Sequence, residues 1–330
     1  EYDNKQAKKA RAEELRKADP TRATTPYYLG DDVQINDSAL SPSGRWMLVI
    51  TTPKSYDAGR IGKMPVYVTL SGYEEVEDVH TRVGRGAPVA HTLWRVDLAS
   101  HAVAKLDFAG LPGIKDDPLA AIRAENERVE KERAEKEKTA KAESAPAAAD
   151  KKSKKDKKDD KKPDAKERDV QVGAIAFARD GATAAVALRA NDNKDRWITT
   201  LTGADKAVLE TRHRLTDPAW INWNFNEFGW LPDNRTLWYV SEESGYAHLY
   251  TRKGDDKPQQ LTQGDAEFSS PVVSPDGHWF YLRANAEAPY AYDIYRLPST
   301  GGKLERLTNY KGAEGFTLSR DGSRLLVAHS

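Results

Sequence analysis

The feature that most constrains this chain is a short turn that recurs along it. The turn reads Ser41-Pro42-Ser43-Gly44, Ala178-Arg179-Asp180-Gly181, Leu231-Pro232-Asp233-Asn234, Ser274-Pro275-Asp276-Gly277 and Ser319-Arg320-Asp321-Gly322. Pro at the second position presets φ, Asp at the third bonds its own backbone, and Gly or Asn at the fourth tolerates the left-handed conformation. An alternating or apolar run follows each copy, at residues 46–50, 183–188, 236–240, 279–282 and 325–328. Such a run after a tight turn reads as the second strand of a hairpin.

A third strand recurs at 92–98, 247–252 and 292–297, and a short fourth at 104–106, 259–262 and 304–308. Four antiparallel strands per unit describe a propeller blade. The fourth positions of the last three turns, Asn234, Gly277 and Gly322, are separated by a blade-sized period. A generic β-sandwich does not repeat one turn sequence at a fixed spacing. The expected fold is therefore all-β, an antiparallel β-propeller with four-stranded blades at about 33–112, 170–213, 219–264 and 265–309. Two strands of a fifth blade follow. An incomplete arc leaves open strand edges, so both ends of the chain read as artificial or processed boundaries, with further blades expected outside.

Three regions stand apart from the blades. Residues 1–19 read as an exposed helix or connector. Within residues 20–113, an extension at 54–90 separates the second strand of the first blade from its third. Residues 114–168 form an insertion between that blade and the rest of the propeller at 169–330. Asp117-Pro118 is a helix start, and the Ala, Glu, Lys and Arg that follow, to Glu143, predict a solvated helix without an apolar stripe. From Ser144 the chain turns to Ala and Pro, then to eight lysines and three aspartates in 151–162, a composition that cannot bury a core and predicts disorder. A nucleic-acid tail is the functional alternative. It lacks interleaved aromatic groups, and the aspartates dilute its charge.

Charge and motif content narrow the function. The chain carries 51 basic and 51 acidic residues and no cysteine, which argues against nucleic-acid or membrane-surface binding and removes thiolate chemistry. It contains no G-x-S-x-G nucleophile elbow, P-loop or G-x-G-x-x-G, and its seven histidines show no metal-ligand spacing. No catalytic residue, metal site or cofactor is expected. Asn191 to Arg196 begins like a calcium loop but lacks the Gly at position six and the closing Glu, so it reads as a polar hairpin tip. The aromatic set Trp220, Trp223, Phe225, Phe228 and Trp230 is expected on inner strands of the third blade, mostly packing between blades. Glu242 and Glu243 are expected in a solvated turn. Glu74 and Glu75 lie in the extension, where a rigid scaffold often carries recognition.

The repeated Ser-Pro-Asp-Gly turn resembles TolB-like and dipeptidyl peptidase IV-type propellers. Trp220-Ile221-Asn222-Trp223 with Trp230-Leu231-Pro232-Asp233-Asn234 is similar to the family's inner strand and turn. Residues 241–250 are similar to its second-to-third-strand hairpin, and 73–98, with Thr81-Arg82-Val83-Gly84, to the extended blade of bacterial members. The resemblance implies the propeller domain of a prolyl oligopeptidase-family serine peptidase. Such a domain gates a C-terminal α/β-hydrolase domain, absent from these residues, and helps hold the peptide substrate. It also implies a substrate site at Glu74, Glu75, Arg82, Arg85 and Trp223, with the glutamates after Tyr73 binding a peptide's free amine. The Asp-Trp that precedes the family's own pair is missing. Dipeptidyl, acyl-aminoacyl and endo-oligopeptidase specificities stay open, and a periplasmic or secreted location is expected. The alternative is a TolB-like periplasmic scaffold without an enzyme.

Overall fold

The computed structural model describes residues 2–19, 25–57, 59–81, 86, 88–143, 166–203 and 208–329. Helix α1 (Tyr2–Ala18) comes first, charged all round and exposed. The first blade contains β1 (Val33–Leu40) and β2 (Trp46–Pro53). A separate two-stranded arm, β3 (Ile61–Val66) with β4 (Glu75–Thr81), interrupts it before β5 (Thr92–Asp97) and β6 (Val103–Lys105) close the sheet in the order β1-β2-β5-β6. Helix α2 (Ala120–Glu143) follows.

The second blade is β7 (Val170–Phe177), β8 (Thr183–Ala190), β9 (Asp195–Thr202) and β10 (Glu210–Thr216). The third is β11 (Phe228–Trp230), β12 (Thr236–Ser241), β13 (His248–Lys253) and β14 (Gln259–Gln260). The fourth is β15 (Phe268–Val273), β16 (Trp279–Ala288), β17 (Ala291–Pro298) and β18 (Glu305–Arg306). A final pair, β19 (Glu314–Leu318) and β20 (Leu325–His329), ends the described arc. Each blade is an antiparallel meander, of consecutive strands in all but the first, where β3 and β4 intervene, and the fold is the all-β, four-stranded-blade arc that the repeat implies.

The five turns behave alike because their sequences make the same local demands. In each, the fourth residue's N–H donates to the first residue's carbonyl: Gly44 to Ser41, Gly181 to Ala178, Asn234 to Leu231, Gly277 to Ser274 and Gly322 to Ser319, at 2.8–3.1 Å. All five fourth residues have positive φ, Asn234 at 59° and Gly277 at 77°. The turns also touch one another. A Cβ on Gly277 would lie 3.0 Å from Pro232 of the preceding turn, and one on Gly322 would lie 2.9 Å from Pro275. Asp180 N donates to Asn234 Oδ1 at 3.1 Å. The motif therefore sets both the hairpin and the spacing to the next blade.

The core lies between blades, in layers. Trp46, Leu48, Leu93, Val172, Leu188 and Trp197 pack blade one on blade two. Ile198, Leu237, Tyr239 and Tyr250 join two to three, and Leu249, Phe268, Phe280 and Leu282 join three to four. Indole N–H groups tie the layers at their margins: Trp46 Nε1 donates to Gly181 O at 2.8 Å and Trp230 Nε1 to Ala176 O at 3.0 Å.

The helix of the insertion starts two residues later than the Asp-Pro pair predicts. Asp117 Oδ1 accepts from Leu119 N at 3.1 Å, and the helix begins at Ala120. Arg128 pairs with Glu125 and Glu132 along the helix, and Arg123 reaches back to Asp117. The Lys-rich stretch 151–162, with its expected disorder, lies outside the described residues. No described helix is long and apolar enough to cross a membrane.

Candidate functional site

Strands alternate in direction, so a blade's first-to-second turn lies at one end. The second-to-third turn and the link to the next blade lie at the other end. The five repeated turns occupy the first end. The second end carries the arm, the tip 191–194, the turn 242–247, and the links that carry α2 and residues 217–227.

Two polar clusters stand at this second end. In the first, Arg189 at the end of β8 lies over the ring of Trp223, 5.3 Å from its centroid. Its Nε and Nη2 both donate to Gln171 Oε1, at 2.9 and 2.5 Å. Gln171 Nε2 donates onward to Val89 O at 3.2 Å, and Asn191 Nδ2 to Pro88 O at 3.1 Å. The return of the extension into its blade is thus stitched to blade two. His91 Nδ1 accepts from Val172 N at 3.1 Å, so its proton sits on Nε2; burial, with Arg189 nearby, lowers its pKa.

The second cluster centres on Arg196, at the start of β9 and 1% exposed. It donates to Asn226 Oδ1 and, at 3.1 Å, to Val240 O. Its Nη2 faces His213 Nδ1 at 3.4 Å, while His213 Nε2 lies 2.5 Å from Glu243 Oε2. A guanidinium only donates, so Nδ1 is the lone-pair nitrogen and Nε2–H donates to the carboxylate. His213 is held neutral; burial pushes its pKa down, with Arg196 adding to the effect. Burial also brings Arg196 down to about 10, leaving it cationic at neutral pH. Glu242 accepts from Asn222 Nδ2 at 3.2 Å, and burial raises its carboxyl. The buried hydroxyl of Tyr239 and the indole N–H of Trp223 have no hydrogen-bond partner among the described residues.

These findings correct two sequence expectations. Glu242 and Glu243 are not a simply solvated turn, because each reaches a partner from a link or a neighbouring blade. Of the aromatic set only Phe228 and Trp230 lie in a strand. Trp220, Trp223 and Phe225 lie in the link, where Asp217 Oδ1 accepts from Ala219 N and Trp220 N, and Asn222 Oδ1 from Asn224 N. Side chains that bond their own backbone hold that stretch in turns rather than in a ladder. Trp220 is exposed, whereas Trp230 packs between blades.

Glu74 and Glu75 sit at the outer end of the arm, exposed; Glu75 Oε1 accepts from Ser71 Oγ at 2.7 Å. Arg82 and Arg85 lie outside the described residues. The structure brings no described contact between the glutamates and Trp223. Arg189, Gln171, Arg196 and His213 went unnoticed in the sequence. One signal was available: Arg189 and Arg196 flank the tip symmetrically and oppose each other in the ladder. Like charges so placed require separate partners. The tip is no calcium loop: Lys194 Nζ donates to Pro218 O and Ala219 O. Among the described residues no group of three or more His, Asp or Glu is placed to hold a metal ion.

Comparison with known proteins fits this layout. The family model for the dipeptidyl peptidase IV (DPP IV) N-terminal region matches residues 147–330. The crystal structure of Porphyromonas gingivalis dipeptidyl peptidase 4 superposes with a TM-score of 0.55 at 16% identity, over 89% of this chain and 33% of that one. A candidate dipeptidyl aminopeptidase IV from Bacteroides ovatus superposes at 0.53 and 13% identity, over 92% of this chain and 39% of that one. An uncharacterized protein, Atu1656, from Agrobacterium fabrum is 28% identical over 89 residues, 27% of this chain and 30% of its own length. The chain thus spans well under half the length of each of these proteins. With more than half of its residues matched by the family model, and its blades laid out as in those structures, the chain belongs to the dipeptidyl peptidase IV N-terminal region family.

Proposed function

We propose that these residues form the gating propeller of a prolyl oligopeptidase-family serine peptidase, controlling access of peptides to an α/β-hydrolase active site that lies outside them. The observation that supports this best is the family match across the second, third and fourth blades, on a scaffold whose second end carries the arm, the insertion and the two polar clusters described above. A blade arc is a rigid frame, and loops displayed at one end of a rigid frame are where recognition is built. In this proposal the hydrolase domain faces that end.

Substrate binding is assigned to Glu74 and Glu75, which anchor a peptide's free amine, and to Arg82 and Arg85, which bind a carbonyl or pair with the glutamates. Trp223, with Arg189 over its ring, is assigned an apolar contact with the substrate. The proposed location is periplasmic or secreted, where a peptidase meets short peptides.

The test is an active-site serine probe of the fluorophosphonate class. The 330-residue chain is expected to stay unlabelled, and the full polypeptide to label stoichiometrically on one serine beyond these residues. Labelling inside the chain contradicts the gating assignment. A full polypeptide with no reactive serine points instead to a binding scaffold.

A further inference from the structure

Between blades two and three, at the end that carries the repeated turns, lies a cleft of about 410 Å³. Both polar clusters described above stand at the opposite end. Blade two lines the cleft with hydroxyls. Thr183 and Thr202 are partners in the β8–β9 ladder, and Thr200, two residues before Thr202, shares its face. Blade three supplies an apolar pair, Trp230 opposite Leu237. Trp230 Nε1 donates to Ala176 O, which fixes the indole in place.

Four cations line the same cleft: Arg212 from β10, and Arg235, Arg252 and Lys253 from where β12 begins and β13 ends. Arg212, with its side chain 17% exposed, is fully partnered. Its Nε donates to Thr200 Oγ1 at 2.7 Å, and its two Nη atoms pair with Glu210 and Asp255. The other three form no ion pair among the described residues. Arg252 gives Nη1 to Arg212 O, while its buried Nε has no partner. Lys253 acts on Asp233 through space, but the Asp233 carboxylate already accepts from Arg235 N, Thr236 N and Thr236 Oγ1 at 2.6–2.9 Å.

These three cations crowd the end of one ladder. Lys253 stands opposite Thr236, Arg252 opposite Leu237, and Gly254 N donates to Arg235 O at 3.3 Å. Like charges gathered on neighbouring strands oppose each other, and an anion placed among them removes that cost. We infer that this cleft binds the phosphate group of a small molecule. Arg235, Arg252 and Lys253 hold the charge, the Thr183 and Thr202 hydroxyls donate to the remaining oxygens, and Trp230 lies against whatever the phosphate is attached to. A phosphate monoester carries about −1.5 to −2 charges at neutral pH and three strong acceptor oxygens. That matches several cations and hydroxyls better than a carboxylate, with its single charge and two oxygens. Guanidinium forks are suited to the same group. Nothing in this cleft depends on the peptidase assignment.

Calorimetric titration of the full polypeptide tests this, with inorganic phosphate and with phenyl phosphate, at fixed ionic strength in chloride. At least one of the two is expected to bind with a dissociation constant of about 1 mM or tighter. Arg235→Gln combined with Lys253→Gln changes two exposed positions, and is expected to weaken that binding about tenfold or more, the loss of charged hydrogen bonds. The thermal midpoint and circular dichroism of the variant are expected to match the wild type. Tighter binding of phenyl phosphate supports an esterified ligand whose organic part meets Trp230, and equal binding supports free phosphate; either upholds the site. No binding of either anion overturns the inference, as does an affinity that the double variant leaves unchanged.

Discussion

Arg168 and Asp195 meet at 2.6 Å at the root of the long insertion, with side chains 10% and 1% exposed. Arg168 also donates to Gly113 O at 2.8 Å and lies 3.1 Å from Asp192, so it ties together both ends of the insertion and the second blade. Asp195 accepts in addition from Arg214 at 2.7 Å and Thr216 at 2.6 Å. Burial alone would raise its carboxyl, but the bonds from Arg214, Thr216 and Arg168 outweigh burial and hold it below the usual carboxylate range.

Removing that charge leaves two guanidiniums facing a neutral group. Asp195→Asn is expected to lower the stability of the chain by about 3–5 kcal/mol, the cost of breaking a buried pair from one side. Urea unfolding at pH 7 measures it. Because the folded pKa lies below the unfolded value of about 3.9, the wild-type contribution is complete above that value. It is lost as the pH falls through the folded one. Wild type and variant are therefore expected to converge in stability toward pH 2.

His213 has a dependence of the same sign, at higher pH. Its folded pKa is depressed, first by burial in the seam between blades two and three and then by Arg196, which a proton on Nδ1 would face. Its contribution is complete above the unfolded pKa of about 6.5 and declines as the pH falls from there toward the folded value, because the unfolded chain takes up the proton first. The urea midpoint of the wild type is expected to fall between pH 7.5 and 5.5. His213→Gln, less stable at pH 7.5, is expected to lose less over that interval. Nitrogen shifts of the ring are expected to report the Nε2–H tautomer at pH 7.5.

The turns predict a graded series. Gly277→Ala places a Cβ in the left-handed region and 3.0 Å from Pro232. It is expected to cost about 1–2 kcal/mol. Asn234→Gly keeps a residue suited to the φ of 59° but loses the bond from Asp180 N, and is expected to cost about 0.5–1 kcal/mol. Equilibrium unfolding of the two variants side by side checks the order.

The glutamate pair makes a kinetic prediction in the full polypeptide. Glu74→Gln with Glu75→Gln is expected to lower kcat/KM for substrates with a free amine by about 1.5–3 kcal/mol in transition-state terms, the worth of a charged hydrogen bond. N-acylated substrates, which carry no charge at that end, are expected to be nearly unaffected. An equal response from both substrate types, or none, returns the pair to the surface.

The blades were legible because each turn asks for its residues locally. Asn234 and Gly277 advertise a left-handed position without reference to the rest of the chain, and their regular recurrence implies the blade. The seams between blades were not legible. Glu243 finds His213 thirty residues away on another sheet, and nothing in Ser241-Glu242-Glu243-Ser244 distinguishes that from a solvated turn. Residues 220–230 looked like strand because they are aromatic, yet Asp217 and Asn222 bond their own backbone and keep Trp223 in a link. The arm was visible only as an extension: Gly62 and Pro65 both argue against a strand, and the ladder forms around them with a bulge after Ile61.

Gating is the central claim, and substrate length tests it most directly. The measurement is kcat/KM of the full polypeptide for one cleavable N-terminal sequence carried on peptides of about five and about forty residues. A propeller that screens access is expected to reduce kcat/KM for the longer peptide at least tenfold. Equal values for the two peptides, or ready cleavage of the same sequence at the end of a folded protein, contradict a gate.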